Sequence, residues 1–281
     1  MPELPEVEVI RRDLEKEILG RTIRSVAVAS TPNALRVIRR NPRPSKFVEA
    51  LVARTIVRID RQGKYLVFRL DNGSSLIAHL GMSGQLILAP CLLPMPKHTH
   101  IVLEFTSGGE LRYVDPRTFG EMFVATAGDG GGIRELQRLG FDALQEPFPR
   151  RDFSDSLAVR RTKLKSLLMD QRFVCGLGNI YSDEILFRAR LRHDRLSNTL
   201  SADEVRRLYE AIGQVLNDAI RHRGTSIEDE QYRDLYGSVG GFQHLLKVYQ
   251  REGQPCSRCG TPIARARWSG RSTYYCPLCQ A

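Results

Sequence analysis

CSRCGTPIARARWSGRSTYYCPLC, residues 256–279, decides how the C-terminal end of the chain folds. Two Cys-x-x-Cys pairs, Cys256/Cys259 and Cys276/Cys279, flank residues 260–275, a spacing typical of four-cysteine zinc sites. Each pair can approach one ion from a tight turn, while the residues between the pairs run out and back as a hairpin. Four thiolates close the coordination sphere, so the sequence predicts one structural Zn²⁺ ion, with another thiophilic metal as the alternative.

The tip of this hairpin, residues 269–273, carries Arg271 among small residues. A guanidinium in that position can clamp a phosphate with two parallel hydrogen bonds. Zinc ribbons serve many purposes, so the module alone is equally compatible with binding of RNA or of a protein.

Length and charge limit the possible functions. The chain has 281 residues, which suits two domains, and a formal net charge of +10, which favours a polyanionic partner. Composition alone leaves RNA, DNA and acidic membranes open. No apolar run approaches the ~18 residues of a membrane span, and charged side chains occupy the positions where a secretory signal needs an apolar core. We therefore expect a cytoplasmic protein without a membrane partner.

The N-terminus reads Met1-Pro2-Glu3-Leu4-Pro5-Glu6. Removal of Met1 would leave Pro2 as a secondary amine with a carboxylate on the next residue. An α-amino group has a pKa of roughly 7.7 to 8.0, so part of it is unprotonated near neutrality and can attack a carbonyl carbon. The structural alternative is an ordinary helix start, with prolines in the first turn and acids at the positive end of the dipole.

Hydrophobic periodicity divides the rest of the chain. Residues 4–19 have the spacing of an amphipathic helix. Short β-type runs follow up to about residue 124, at 23–29, 51–59, 65–70, 76–80, 101–105 and 122–125, and predict a sandwich or a flattened barrel. A glycine run at 128–132 ends this pattern, and helices are predicted at 133–139, 157–169, 179–190 and 202–223. Ser201 and Glu204 form a capping box for the last helix.

The turn at residues 176–179, Gly-Leu-Gly-Asn, joins two of the predicted helices. Such a turn leaves backbone N–H groups free at the start of the next helix, where a phosphate can bind. An ordinary turn between two helices is the alternative, and the local sequence alone favours it.

Six segments together resemble the bacterial formamidopyrimidine-DNA glycosylase family, over essentially the whole chain. They are residues 1–8 (MPELPEVE), 63–66 (GKYL), 79–84 (HLGMSG), 115–120 (DPRTFG), 176–181 (GLGNIY) and 270–277 (GRSTYYCP). The resemblance implies an α+β fold: an N-terminal catalytic β-sandwich domain with a leading helix (1–131), a helix-two-turn-helix domain (132–249) and a four-cysteine zinc finger (250–281).

The same resemblance implies a bifunctional DNA glycosylase and abasic-site lyase of base excision repair that removes 8-oxoguanine and formamidopyrimidines. Pro2 would attack C1′ of the flipped nucleotide, Glu3 would protonate the ring oxygen, and Glu6 would help to arrange the site. Lys64 resembles the family's hairpin lysine beside the lesion, with plain phosphate contact as its alternative role. β- and δ-elimination would then cut the strand on both sides.

Other residues match the family's DNA contacts. Met82, Arg117 and Phe119 resemble the side chains that fill the gap left by the flipped base, where an apolar wedge recovers part of the unstacking energy. Asn179, Arg271 and Lys165 match residues that grip phosphates near the lesion. Ordinary core packing is the alternative for Met82 and Phe119, and a strand-end ion pair is the alternative for Arg117.

Two positions depart from the family pattern. Thr118 stands where a second arginine is usual, which removes one expected phosphate contact. Gly241 replaces a customary aromatic in the segment that resembles the family's loop over an everted purine, so the base preference is open.

Three rival functions remain. An endonuclease VIII-type enzyme would remove oxidised pyrimidines by the same chemistry. A non-catalytic paralogue would bind lesion DNA without cutting it, and a zinc-ribbon RNA-binding protein would explain the charge and the finger only. For the glycosylase we expect lesion-containing double-stranded DNA as the partner, a nucleoid-associated location, and a monomer, because the site needs only one chain.

Overall fold

The structure is a computed structural model that describes residues 1–41, 43–91, 93–125, 134–145, 149–227, 232–268 and 270–281, with the backbone alone at 134 and 135. The predicted glycine break at 128–132 and Ser269 at the hairpin tip lie outside the described residues. The chain forms two compact units. The first comprises Met1–Gln137 and His222–Gln243, and the second comprises Arg138–Arg221 and His244–Ala281.

The first unit begins with helix α1, Leu4–Ile18. Its apolar residues recur at helical spacing, and Ile10, Leu14 and Ile18 are each fully buried. Glu3 and Glu6 form a capping box at its start, with Pro5 in the first turn. The predicted leading helix is therefore confirmed, and its apolar face is buried as the spacing predicts.

Two antiparallel four-stranded sheets follow, which confirms the β-sandwich. The strands are β1 Ile23–Val28, β2 Ile56–Gln62, β3 Tyr65–Leu70, β4 Ser75–His79, β5 Gln85–Ala89, β6 Thr99–Phe105, β7 Glu110–Val114 and β8 Glu121–Ala125. One sheet has the order β1-β6-β7-β5 and the other β2-β3-β4-β8. Phe68 from one sheet and Phe105 from the other belong to one buried core with α1.

Two short helices interrupt the region where the sequence predicts only strands. Helix α2 spans Pro32–Val37 and helix α3 spans Pro44–Leu51, each with a proline in its first turn. The expected strand at 51–59 therefore starts only at Ile56. The side chain of Thr31 caps α2 by accepting a hydrogen bond from Ala34 N at 3.2 Å.

The segment His222–Gln243 returns to the first unit, although the sequence boundaries assign it to the helical domain. Tyr232 and Leu235 lie in the sandwich core, with exposed fractions of 4% and 0%. The backbone N–H of Leu88 in β5 donates to Leu235 O at 3.1 Å. The first unit is thus built from two stretches of sequence that are far apart in the chain.

Helix α4, Arg134–Gln137, ends the first stretch of the first unit, and the second unit contains helices α5 Arg150–Ala158, α6 Leu164–Met169, α7 Asn179–Ala189 and α8 Ala202–Arg221. The predicted helix at 157–169 is split, because the intervening backbone pairs elsewhere: Leu164 N donates to Arg195 O at 2.8 Å, and Ser197 N donates to Thr162 O at 2.9 Å. The capping box of α8 is confirmed, with Ser201 N donating to the Glu204 carboxylate at 2.8 Å.

Strands β9 Ala264–Trp268 and β10 Arg271–Tyr275 form the predicted C-terminal hairpin. Cα partners run from Arg271 opposite Trp268 to Tyr275 opposite Ala264. Among the described residues, none of the helices combines the length and the apolar character that a membrane crossing requires.

Candidate active site

The start of α1 holds Pro2, Glu3 and Glu6 in one buried corner of the first unit. Pro2 is buried, and Glu3 and Glu6 are exposed by only 2% and 1%. The Glu6 carboxylate accepts the backbone N–H of Glu3 at 2.8 Å. Glu3, which follows the predicted nucleophile Pro2, is therefore held by the Glu6 side chain one helical turn further along the chain.

The other oxygen of Glu6 is bound by the returning segment. Thr225 N donates to Glu6 Oε1 at 2.8 Å. Gly224 has φ +82°, and a Cβ there would lie 2.9 Å from the same oxygen, so this close approach requires glycine. Both oxygens of Glu6 thus accept backbone N–H groups, which fixes the carboxylate between the N-terminus and residues 224–225.

Lys64 follows a glycine turn between β2 and β3. Gly63 has φ +56°, and the Arg61 guanidinium donates to its carbonyl oxygen at 3.1 Å. Arg61 also pairs with Glu8 of α1 at 2.9 Å, with both side chains nearly buried. The Lys64 turn is therefore tied to α1, the helix that Pro2 and Glu3 immediately precede.

Met82, Arg117 and Phe119 come from two neighbouring loops. Phe119 is 52% exposed, and the Arg117 Cζ atom lies 5.1 Å from the centroid of its ring. Met82 is half-buried. A Cβ at Gly81 would lie 2.5 Å from Gly120 N, so the two loops are in direct contact. An exposed phenylalanine under a guanidinium is unlike a core residue.

Buried Asp115 organises both loops. Its carboxylate accepts the Ser83 hydroxyl at 2.6 Å and the backbone N–H groups of Arg117 and Gly120 at 3.2 and 2.9 Å. Asp115 and Ser83 lie in the motifs at residues 115–120 and 79–84, but the sequence pattern predicted no role for either. A polar side chain in each of these two turns was the only sequence feature that could have indicated their contact.

His79 ends β4 beside these loops. Its Nδ1 atom accepts the backbone N–H of Gly81 at 3.2 Å. Burial, with Lys64 and Arg39 nearby, lowers the pKa of His79 to about 4. The ring is therefore neutral at physiological pH and serves as a hydrogen-bond acceptor for the Met82 loop.

The two departures from the family pattern occupy tight backbone positions. Thr118 has φ +54°, which is unfavourable for a β-branched residue. Gly241 N donates to His222 O at 2.8 Å, and a Cβ on Gly241 would lie 3.3 Å from that oxygen. Glycine at 241 lets the returning segment close against its own start.

In the second unit, Lys165 is 1% exposed. Its ammonium donates to Asp183 Oδ1 at 2.8 Å, to Ser182 Oγ at 2.8 Å and to the carbonyl oxygen of Asn179 at 2.9 Å. Three donors thus meet three protein acceptors, because a buried cation requires this compensation. Lys165 thus lies behind Asn179, and its contact with a phosphate stays a prediction.

Asn179 and the hairpin tip are joined directly. Asn179 opens α7, and its side-chain amide donates to Ser272 O at 3.0 Å, next to exposed Arg271. Asp183 extends the link, since Tyr274 N donates to it at 3.0 Å. The two candidate phosphate ligands, Asn179 and Arg271, are therefore carried by one connected frame.

The four cysteines of the hairpin fit a zinc ion. The Sγ atoms of Cys256, Cys259, Cys276 and Cys279 all lie within 4.8 Å of one another. Cys256 Sγ is 3.9 Å from Cys279 Sγ, and Cys259 Sγ is 3.5 Å from Cys276 Sγ. Tetrahedral Zn–S bonds of about 2.3 Å require sulfur separations of about 3.8 Å.

The backbone supports the same assignment. Arg258 N and Cys279 N donate to the sulfurs of Cys256 and Cys276 at 3.4 and 3.3 Å, as expected for thiolates in tight turns. Four closely spaced thiolates need a cation, and Zn²⁺ supplies this charge and crosslinks the two ends of the hairpin. The four cysteines form a structural zinc site.

Family models cover most of the chain. Residues 1–122 match the formamidopyrimidine-DNA glycosylase N-terminal domain, residues 139–231 match the formamidopyrimidine-DNA glycosylase H2TH domain, and residues 253–281 match the zinc finger found in FPG and IleRS. The three matches follow the order predicted from the motifs.

Whole-length relatives and solved structures agree with these models. The chain is 43% identical over 282 residues to the formamidopyrimidine-DNA glycosylase of Herpetosiphon aurantiacus, with 100% of both chains covered. It is 42% identical to the MutM (Fpg) protein from Thermus thermophilus, with a TM-score of 0.86 over 99% of this chain and 98% of that one. It is 35% identical to the Lactococcus lactis Fpg in a complex with DNA containing an abasic site, with a TM-score of 0.89 over 99% of both chains.

Domain order, whole-length identity and fold point to the same assignment. The chain belongs to the formamidopyrimidine-DNA glycosylase family, and it is a zinc-finger DNA glycosylase of base excision repair.

Proposed function

We propose that this glycosylase excises oxidised purines, 8-oxoguanine and formamidopyrimidines, from duplex DNA and then cleaves the abasic strand through a Schiff base on Pro2. The observation that carries the proposal is the buried corner at the start of α1. There Pro2 precedes Glu3, whose backbone is held by Glu6, which is held in turn by Thr225.

The chemistry follows from these groups. Once Met1 is removed, the Pro2 nitrogen forms a bond to C1′ of the damaged nucleotide, and the base leaves with the electron pair of the glycosidic bond. The Glu3 carboxylate takes the proton that the Pro2 nitrogen loses and passes it to the sugar ring oxygen, which opens the ring to an iminium. The departing base takes a proton from water. The iminium acidifies the neighbouring C–H, so successive β- and δ-eliminations break the 3′ and 5′ C–O bonds.

The DNA contacts proposed for this reaction come from both units. Lys64, Arg117 and Arg271 supply positive charge, Asn179 supplies an amide donor, and exposed Phe119 with Met82 supplies the wedge that replaces the everted base. Lys165 supports Asn179 and the hairpin from behind. Relatives support lesion-containing DNA as the partner, because the Lactococcus lactis Fpg has been solved with DNA containing an abasic site, and a mutant of it with DNA containing Fapy-dG.

Borohydride trapping tests the proposal directly. A duplex with 8-oxoguanine opposite cytosine is incubated with the protein, reduced, and the adduct is located by peptide mapping. An adduct on residue 2 supports the mechanism, and protein that retains Met1 is the matched control and should give none.

The same assay separates the rivals. Faster turnover of thymine glycol than of 8-oxoguanine would indicate an endonuclease VIII-type specificity. Tight binding to abasic DNA with no adduct or cleavage, from protein whose Met1 is removed, would indicate a non-catalytic paralogue. Preference for RNA over lesion-containing duplex DNA in competition would indicate a zinc-ribbon RNA-binding protein.

A further inference from the structure

Arg223 adopts a backbone conformation that favours glycine. Its φ angle is +59°, in the left-handed region, immediately before Gly224 at φ +82°. A long side chain is uncommon there, and such a conformation persists only where the surrounding structure holds it in place. Arg223 lies at the point where the returning segment, His222–Gln243, rejoins the first unit.

The Arg223 side chain bridges two buried carboxylates from distant parts of the sequence. Its guanidinium donates to Asp13 Oδ2 at 2.5 Å and to Asp234 Oδ2 at 2.6 and 2.8 Å. Asp13 belongs to α1 and is 8% exposed, and Asp234 belongs to the returning segment and is 2% exposed. The planar fork of arginine suits such a double contact, which a lysine could not reproduce.

Asp234 in turn shapes the returning segment. Its second oxygen accepts the backbone N–H groups of Tyr236 and Ser238 at 3.0 and 2.9 Å. The Tyr236 hydroxyl then donates to Glu17 of α1 at 2.9 Å. The turn that Asp234 stabilises is therefore fastened to α1 at two places, through Arg223 and through Tyr236.

The consequence for the active site lies two residues after Arg223. Thr225 N donates to Glu6, and Glu6 accepts the N–H of Glu3 beside Pro2. A shift of the 223–225 backbone would release one oxygen of Glu6 from its partner. A displacement of about 1 Å in a catalytic group can cost on the order of 100-fold in rate.

We propose that Arg223 is a positioning residue for the Pro2–Glu3–Glu6 corner: by clamping Asp13 and Asp234 it holds Thr225 against Glu6. This inference rests on the proposed function and assigns to it a residue that acts on the reacting atoms through Thr225 and Glu6. The effect of losing Arg223 should therefore fall on the rate of the chemical step and leave DNA affinity nearly unchanged.

Arg223→Gly is the deciding variant, because glycine accepts the left-handed backbone and only the side chain is lost. Arg221→Ala is the matched control, since Arg221 is 72% exposed and pairs with Asp218 at the end of α8. The readouts are the single-turnover rate of borohydride-trapped adduct on an abasic duplex, and the Kd for an uncleavable tetrahydrofuran-containing duplex.

We expect Arg223→Gly to slow adduct formation at least tenfold with Kd changed less than twofold, and Arg221→Ala to change neither. Arg223→Lys should recover only part of the rate. In a Glu6→Gln background, Arg223→Gly should slow the reaction by less than a further twofold, because its effect passes through Glu6. If Arg223 only stabilised the fold, Arg223→Gly would lower the folded fraction. Its effect on the rate would then multiply with that of Glu6→Gln.

An adduct rate for Arg223→Gly within twofold of wild type would overturn the inference, and so would full multiplicativity in the double variant. If Arg223→Gly does not fold, Asp13→Asn decides by the same criteria, with at least threefold slowing expected. Absence of any adduct in the wild-type protein after Met1 removal would instead refute the proposed function itself.

Discussion

Replacement of Lys165 by methionine probes a fully buried ion pair of the second unit. The Lys165 and Asp183 side chains are each 1% exposed, and their charged atoms lie 2.8 Å apart. At an effective dielectric constant of about 20, two unit charges at that distance attract by about 6 kcal/mol. Part of this offsets the desolvation of both ions, so the pair itself is worth less than that figure.

Lys165→Met removes one partner only. Asp183 keeps the Thr273 hydroxyl at 2.5 Å and the N–H of Tyr274 but loses the Lys165 ammonium. We expect the free energy of unfolding to fall by about 3–5 kcal/mol, the usual cost of leaving a buried charge uncompensated. Burial already raises the pKa of Asp183, against the effect of Lys165, and removal of the lysine raises it further. The loss should therefore shrink at low pH, where Asp183 is protonated in both states.

Urea unfolding followed by Trp268 fluorescence measures this loss. Trp268 is the only tryptophan of the chain, and its indole N–H donates to Ser166, next to Lys165, at 2.9 Å. Arg206→Met is the control, because Arg206 is 46% exposed and a solvent-exposed ion pair such as the one it forms with Asp203 contributes little to stability.

The same variant decides the role of Lys165 in DNA binding. If the ammonium supports Asn179 without touching phosphate, the slope of log Kd against log salt stays at the wild-type value. A slope smaller by about 0.9 would show that Lys165 neutralises a phosphate, and a stability loss under about 1 kcal/mol would refute the buried-pair reasoning.

Three further predictions concern the hairpin, His79 and the zinc site. Arg271→Ala should reduce the salt slope of lesion-DNA binding by about 0.9 and weaken all sequences alike, as measured by fluorescence anisotropy at several salt concentrations. The pKa of His79 is lowered to about 4, so its contribution to stability is complete above about pH 6.5, its unfolded value, and is lost as the pH falls towards 4. The folded and unfolded pKa values of His79 differ by about 2.5, which corresponds to at most about 3.4 kcal/mol in the free energy of unfolding. A His79→Gln variant should flatten the pH dependence of urea unfolding. Cys256→Ser should lose the bound zinc, and with it the hairpin and lesion-DNA binding, as seen by native mass spectrometry and anisotropy; unchanged DNA affinity in the zinc-free variant would contradict the structural role.

Local signals carried the sequence predictions that the structure confirms. The capping box at Ser201 and Glu204, the helical spacing of α1 and the cysteine spacing each depend on residues close together in the chain. Phe119 is exposed, and its role as a wedge stays a prediction. These features are decided within a few turns of helix or one hairpin.

The features that the sequence did not predict depend on distant partners. Lys165 looks like a surface lysine until Asp183 and Ser182 are brought against it. The helix predicted at 157–169 breaks because residues 162–164 pair with 195–197. The pairing of Arg223 with Asp13 joins residues separated by most of the chain. Periodicity contains no information about such contacts.

The split composition of the first unit has a consequence for biosynthesis. Its core includes Tyr232 and Leu235, and its first helix is fastened by Arg223, so the unit is incomplete when the ribosome has finished residue 137. At about 5–20 residues per second, residue 243 follows roughly 5 to 20 s later. During that interval the sandwich lacks part of its core, and the helices of the second unit emerge before the first unit can complete its fold. The nascent N-terminal half should therefore depend on chaperone protection until its last segment arrives.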